Sequence, residues 1–407
     1  MIRHILKIVW NRKRANALIV AEIFLSFLVL FAVLTLASAL IGSVTKPLGY
    51  EWRNVWNISL ENERPRPPAD GPWAKTAGGT EKEPDVTQLI MHELRAMPQV
   101  EAVGASATPP YSMSANEGSW GFGGKTVSLT IDFATDGFAD VMQLEILSGR
   151  WFQPQDDAAN YTPVVIDTDL ARTVYGTENP IGRRFNEEAE KEMRVVGVIA
   201  PYRKSGEFAN FGKPVNMMFE RASAAKSDTL PGNVVVRLRP GTPSSFEETL
   251  SDRIHQVAPQ MNFRIRHMTR MRQFAHRTAL FPLVVLLTVA AFLIAMVILG
   301  LSGVLWQNVT RRTRELGLRR AIGASAGAVQ RQIVAEVAML TTLAVVAGLA
   351  VVAQLPILGL FSLITPGAFA GGLAASLAAI YALTVLCGVY PGWLASRVQP
   401  AQALHYE

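Results

Sequence analysis

Four long apolar runs, Ala17–Val44, Ala279–Leu305, Ile333–Leu360 and Phe369–Leu394, constrain this chain more than any other feature. Each exceeds the roughly 20 helical residues needed to cross a hydrocarbon core of about 30 Å. Lipid offers no partner for backbone N–H and C=O groups, so each run is expected to be helical. A polar stretch long enough to build its own core separates the first run from the second. The expected fold class is a membrane α-helical protein with four transmembrane helices and a large α+β extracytoplasmic domain inserted between spans 1 and 2.

Charge orients this arrangement. The net charge of +6 is unevenly held: Lys46–Arg277 carries 27 basic and 29 acidic residues, and the remainder carries 12 basic and 4 acidic. The excess therefore belongs to the membrane part, where it reports orientation and attraction to anionic lipid, not nucleic acid. Arg3, Lys7, Arg12, Lys13 and Arg14 precede the first span. Arg311, Arg312, Arg314, Arg319, Arg320 and Arg331 lie between the second and third, Ser362–Ala368 is uncharged, and Arg397 follows the fourth. Cations are retained inside, so both termini and the Arg311 segment are expected to be cytoplasmic and the large domain to lie outside.

The expected division is an amphipathic cytoplasmic helix over 1–16 and spans over 17–44, 279–305, 333–361 and 369–394. The outer α+β domain takes 45–278, with a β-rich inserted subdomain at about 126–220. A cytoplasmic coupling segment takes 306–332, and a cytoplasmic tail takes 395–407. Ile2, Ile5, Leu6 and Val9 fit an interfacial helix and equally the cytoplasmic start of span 1. Ala37-Ser38-Ala39 imitates a signal-peptide cleavage site, but the apolar run before it is far longer than the usual stretch of about 7–15 residues. The lone Cys387 excludes an internal disulfide.

Small residues recur every four positions in the spans, at Ala344 and Gly348 and at Gly371, Ala375 and Ala379. The spacing fits close helix approach and also the ordinary enrichment of small residues in membrane helices. Glu22 and Glu336 sit near cytoplasmic span ends, where anchoring is expected rather than a midplane ion site.

In the outer domain, the prolines and glycines of Glu61–Pro84 predict an irregular segment. Asp85 can cap a helix over Val86–Met97 with Val86, Leu89, Ile90, Leu94 and Met97 on one face, ended by Pro98. Strands are expected at Asn54–Leu60 and Val100–Ala107, and again at Asn233–Arg239 and Asn262–Met268 around a helix with Phe246, Leu250, Ile254 and Val257 on one face. Ser244 and Ser245 offer that helix a capping box with Glu247 or Glu248. These strand–helix–strand units are expected to pack right-handed with parallel strands, as one small layer. The middle has strand patterns at Thr126–Ala134, Thr162–Asp167, Met193–Ile199 and Val215–Glu220.

Two sequences imitate nucleotide-binding motifs. Gly123-Gly124-Lys125-Thr126 resembles the end of a phosphate-binding loop, but Ser119 stands where its first glycine is required, and no strand-to-helix context follows. Val164-Val165-Ile166-Asp167 resembles a magnesium-site strand and meets the same objections. The six histidines show no metal-ligand spacing. No nucleophile, base and orienting group can be singled out, so no catalytic centre is expected.

The segment Arg311–Ser325, RRTRELGLRRAIGAS, holds a single acid among five arginines. Arg311 and Glu315, and Glu315 and Arg319, are spaced for ion pairs on a helix, and Gly323 can end it in the left-handed conformation. A new helix is then expected from about Ser325. Leu318, Ala321 and Ile322 form a small apolar face in need of a partner. On this pattern alone, a docking helix and a lipid-facing loop are equally good readings.

Resemblance separates them. RRTRELGLRRAIGAS followed by QRQIVAEVAML resembles the signature of the MacB/FtsX-type ABC transporter permeases, also called type VII or mechanotransmitting. YPGWLASRVQPAQALHYE at Tyr390–Glu407, and VMQLEILSGRWF, NPIGRRF and MRVVGVI in the outer domain, are similar to the same family. The ending departs from the family in having fewer arginines near Trp393-Leu394. The resemblance implies a subunit of the bacterial inner membrane with a periplasmic domain, working with a second permease copy or a homologous permease. Two copies of a separate ABC ATPase would bind the ATP and Mg, leaving this chain without a cofactor or enzymatic activity of its own. It implies that Arg314, Glu315, Gly317, Arg319, Ala321, Gly323, Ala324 and Glu336 contact that ATPase. A periplasmic adaptor and outer-membrane duct would fit a transport role in export or extraction. The alternative is a non-transporting regulator that activates a periplasmic partner such as a cell-wall hydrolase.

Overall fold

Secondary structure follows from where each stretch finds hydrogen-bond partners. The computed structural model describes residues 13–61, 85–112, 114–122, 125–185, 192–208, 215–225, 230–311, 322, 325–359 and 364–396. The chain divides into an outer unit, Val44–Thr278, and a membrane unit joining Met1–Ser43 to Ala279–Glu407. In chain order the elements are α1 (Lys13–Val44), β1 (Val55–Glu61), α2 (Val86–Arg95), β2 (Val100–Ser106), β3 (Asn116–Phe122), β4 (Lys125–Ala134), α3 (Phe138–Met142), β5 (Ile146–Gly149), β6 (Thr162–Asp167) and α4 (Thr168–Tyr175). They continue with β7 (Met193–Ile199), β8 (Met217–Arg221), β9 (Asn233–Leu238), α5 (Phe246–Val257), β10 (Asn262–His267), α6 (Met268–Arg311), α7 (Ala326–Val352) and α8 (Pro366–Ser396).

Two strand–helix–strand units form, but their strands interleave. The order at one end of the sheet is β10-β1-β9-β2, and β9 runs antiparallel to both β1 and β2. The strands of each unit are thus parallel without being neighbours, and each helix crosses one strand of the other unit. Asp85 caps α2 as expected, accepting from Thr87 N–H at 2.8 Å, and its other oxygen accepts from Leu230 N–H. The buried face of α2 is Thr87, Ile90, Met91 and Leu94, while Leu89 turns outward. The capping box expected for α5 does not form. Ser245 already has helical dihedrals and its side chain makes no cap bond, whereas a capping residue normally adopts an extended conformation.

The β-rich middle continues the same ten-stranded sheet through a single pairing, Ser106 with Ala134. The order then runs β4-β8-β6-β7-β5, with β3 folded back on β4. One core gathers the rings of Tyr50, Phe138, Trp151, Phe152, Tyr202 and Phe219, and apolar cores also lie beneath α2 and α5 and around β6 and α4.

The membrane unit holds helices long and apolar enough to cross a bilayer at Ala17–Val44, Gln330–Val352 and Pro366–Val389, and a fourth such stretch runs over Met268–Gly300. Three ends differ from expectation. The second helix starts at Met268, directly after β10, so it is rooted in the outer unit. The third stops at Val352, followed by turns through Gly359, because Pro356 lacks the N–H that would bond the Val352 carbonyl. The fourth opens on Pro366, a favoured first helical residue. The small-residue face of α8 is also offset by one position. Gly372, Ser376 and Ile380 are buried, whereas Gly371 and Ala375 are exposed. Gly372 is held against the Thr35 backbone, which selects between two adjacent lines that both carry small residues.

Candidate functional site

Arg314, Glu315, Gly317, Arg319, Ala321, Gly323 and Ala324 lie outside the described residues, so their flanks carry what can be built. On one side α6 runs without a break to Arg311. On the other, Ser325 adopts an extended conformation and its hydroxyl accepts from Ala328 N–H at 3.3 Å, which starts α7. Between them Ile322 is 78% exposed, an apolar group facing away from this chain. Glu336 stands on α7, half-buried, accepting a hydrogen bond from Gln332 one turn earlier at 3.3 Å. It is the only expected coupling residue within the described region.

The nucleotide lookalikes have structural roles. Lys125 and Thr126 open β4 and pair with Phe122 and Gly121 of β3, so a strand follows them, where a phosphate loop needs a helix. Asp167 caps α4 by accepting from Leu170 N–H at 2.8 Å. Burial pushes its carboxyl up to about 7, against the pull of that hydrogen bond. Among the described residues no group of three or more histidine, cysteine, aspartate or glutamate side chains is placed to hold a metal.

A constellation that the sequence reading missed lies at the root of α6. Arg272 and His276 are one turn apart and share a helix face. Both reach Glu207: Arg272 Nε donates to Oε1 at 2.6 Å, and His276 Nε2 lies 2.8 Å from Oε2. An ionised carboxylate can only accept, so His276 must carry its proton on Nε2. Tyr111 OH donates to the same Oε2 at 3.3 Å. Burial alone would raise the Glu207 pKa, but the hydrogen bonds from His276 and Arg272 outweigh it and hold the carboxyl below its ordinary range.

The loop carrying Glu207 also holds the segment that leaves α1. The buried Arg203 guanidinium donates to Glu207 O at 2.6 Å and to Lys46 O at 3.3 Å. Its backbone N–H donates to Leu48 O at 2.9 Å, and its carbonyl accepts from Tyr50 OH at 3.2 Å. Arg272 stacks over the Trp52 ring, 4.5 Å from its centroid. Residues 46–52, 201–208 and 272–276 therefore form one knot. Its sequence signal is faint: an Arg–His pair four apart before an apolar run, and three charged residues packed into PYRKSGEF.

Comparison with known proteins adds to this geometry. Residues 17–253 match the family described as the MacB-like periplasmic core domain, and residues 286–400 match the FtsX-like permease C-terminal family. The chain is 24% identical to the macrolide export ATP-binding/permease protein MacB of Pasteurella multocida, over 70% of this chain and 44% of that protein. It is 23% identical to the uncharacterized ABC transporter permease YknZ of Bacillus subtilis, over 68% of this chain and 70% of that protein. It thus spans less than half the length of MacB and about two thirds of YknZ. The crystal structure of the periplasmic region of MacB from Actinobacillus actinomycetemcomitans aligns with 57% of this chain and 97% of that one, at 15% identity and a TM-score of 0.38.

Proposed function

The chain belongs to the MacB/FtsX-type family of ABC transporter permeases, and from that membership we propose that it passes ATP-driven motion of a separate ATPase to its outer domain, for export or extraction of a substrate. It is a membrane protein with an extracytoplasmic domain. In the proposed arrangement it sits in the bacterial inner membrane with both termini cytoplasmic. Two permeases work with two ATPase subunits that bind the ATP and Mg.

The observation that carries this reading is α6. This helix of 44 residues begins in the outer unit, contains an apolar stretch long enough to span a bilayer, and ends at the first arginine of the coupling segment. At 1.5 Å per residue it is about 66 Å long, and although Pro282 removes one bond of its hydrogen-bond ladder, one helix joins the two places where force must enter and leave. Arg314, Glu315, Gly317, Arg319, Ala321, Gly323, Ala324 and Glu336 dock on the ATPase. The exposed Ile322 gives that contact an apolar centre. The Pasteurella multocida relative is a macrolide export ATP-binding/permease protein, which supports transport over a purely regulatory stroke.

The reading is tested by reconstituting the permease with its co-purifying ATPase. Glu315→Arg, or Gly323→Trp, is expected to abolish permease-dependent stimulation of ATP hydrolysis while insertion into membrane remains normal. Unchanged stimulation and unchanged ATPase binding in both variants would sink the docking role.

A further inference from the structure

Resting on that transmission reading, we propose that Glu207 is the positioning residue through which the second-span helix grips the outer domain. Its carboxylate locks Arg272 and His276 of α6 to the loop 201–208, and that loop in turn holds the segment leaving the first span.

Three features make this a grip and not an ordinary surface ion pair. First, it is buried: the Glu207 side chain is 9% exposed, so the pair is screened far less than a solvated one. Second, it has two points of contact. One carboxylate oxygen takes Arg272 and the other takes His276, one helical turn further along. Two bonds separated along the axis resist both rotation and sliding of the helix, which a single bond would not. The Phe208 ring meets the His276 ring edge-on at 4.9 Å and closes the site beside them.

Third, the loop is stiff. A turn closed by Gly206 N–H to Arg203 O at 2.8 Å holds Glu207 in place. Gly206 has φ +89, and a Cβ there would fall 2.5 Å from the Tyr111 ring, so the backbone is wedged as well as bonded. Displacing the root of α6 at Arg272 and His276 must displace loop 201–208, and through Arg203 the backbone at Lys46 and Leu48 as well.

The test uses the full chain in lipid nanodiscs, read by hydrogen exchange. Glu207→Gln keeps the shape and one acceptor oxygen but removes the charge. It is expected to speed exchange in 46–52, 201–208 and 268–278 together by about tenfold, the worth of a hydrogen bond to a charged group. Strands β6 and β7 are expected to keep wild-type rates. No change, or a uniform rise across the domain, would overturn the grip. Because His276 must donate, His276→Gln retains a donor and is expected to exchange like wild type, while His276→Leu is expected to behave like Glu207→Gln; equal behaviour of the two histidine variants overturns it as well.

A second arm adds the co-purifying ATPase and a non-hydrolysable ATP analogue. The analogue is expected to change exchange of loop 201–208 in the wild type but not in Glu207→Gln, with ATP turnover alike in both. The same change in both overturns the grip alone. No change in the wild type overturns the transmission reading, and the grip with it.

Discussion

The outer unit fills its interior with rings and holds its loops with ion pairs, whereas the membrane unit packs with glycines and hydroxyls. In the outer unit Phe138, Trp151, Tyr202 and Phe219 form a continuous aromatic cluster. Arg237, though buried, uses all three of its side-chain nitrogens: it donates to the carbonyls of Val141, Arg53 and Glu51 at 2.7, 3.2 and 2.9 Å. In the membrane unit Gly348 lies against the Phe27 ring, Gly371 against the Ser38 hydroxyl and Gly372 against the Thr35 backbone. Solvent accounts for the contrast. Water drives large apolar groups together, so bulk burial stabilises the outer unit. Lipid tails are as apolar as the helices, so there only close approach and interhelical hydrogen bonds distinguish a protein neighbour from a lipid one.

The sharpest way to break this comparison is to put bulk where the membrane unit has none. A Cβ at Gly372 would lie 2.1 Å from Thr35 Oγ1, 2.4 Å from its Cα and 2.6 Å from its backbone nitrogen. Backbone cannot swing aside, so Gly372→Leu is expected to cost about 3 kcal/mol and to remove most folded protein from a detergent extract, measured by size-exclusion chromatography. At Gly371 the obstacle is only the Ser38 hydroxyl, at 2.9 Å, and that side chain can rotate. Gly371→Leu is therefore expected to be the milder of the two. The opposite ranking would mean that α1 and α8 do not approach along the Gly372 line.

That line was not legible in the sequence, where Gly371 and Gly372 are equally small and only the partner helix chooses between them. Strand and helix positions were legible where a short continuous apolar run marks a strand buried on both faces, as in β6, β7 and β9, or where a helical period marks one face, as in α2. The strand β3, NEGSWGF, is mostly exposed and rich in polar residues and glycine, so only Trp120 and Phe122 mark an apolar face. The interleaving of β1 and β9 depends on pairing between residues 182 positions apart, such as Val55 with Arg237, and local periodicity carries no such information. The same holds for the site. The arginine run announces itself within fifteen residues. Glu207 meets Arg272 and His276 only because the fold brings together residues 65 and 69 apart.

Titration next sets two carboxyls of the outer unit against each other. Asp167 is buried, and its pKa is raised to about 7, chiefly by that burial. A carboxyl raised on folding contributes stability that is full below the ordinary aspartate range and is lost as pH rises through about 7. Glu207 has the opposite sign: lowered on folding, its contribution is present above the ordinary glutamate range and lost as pH falls below it. The outer unit is therefore expected to lose on the order of 2 kcal/mol between pH 5 and pH 8 through Asp167. Asp167→Asn, which keeps an oxygen for the Leu170 cap, is expected to flatten that slope. Thermal unfolding of the full chain at a series of pH values, followed by tryptophan fluorescence, measures it; an identical slope in the variant removes Asp167 as its source.

The smallest effect tests the hydroxyl side of the comparison. Thr341 on α7 and Thr384 on α8 are buried with their oxygens 2.8 Å apart. Thr384 also donates to the Ile380 carbonyl at 2.8 Å. A hydroxyl has one proton to give, so Thr341 must be the donor between the helices and Thr384 the acceptor. The two deletions are then unequal. Thr341→Val removes the interhelical bond but leaves Thr384 bonded within its own helix. Thr384→Val strands the Thr341 proton in an apolar interior. Interhelical bonds of this kind contribute about 0.6 kcal/mol, so Thr341→Val is expected to cost about that much and Thr384→Val measurably more. The double variant should cost less than the sum of the two. A double-mutant cycle on unfolding in detergent reads all three. Strict additivity would mean that the hydroxyls are neighbours without being partners, leaving the close approach of Gly348 and Gly372 to α1 to fix α7 and α8 in the unit.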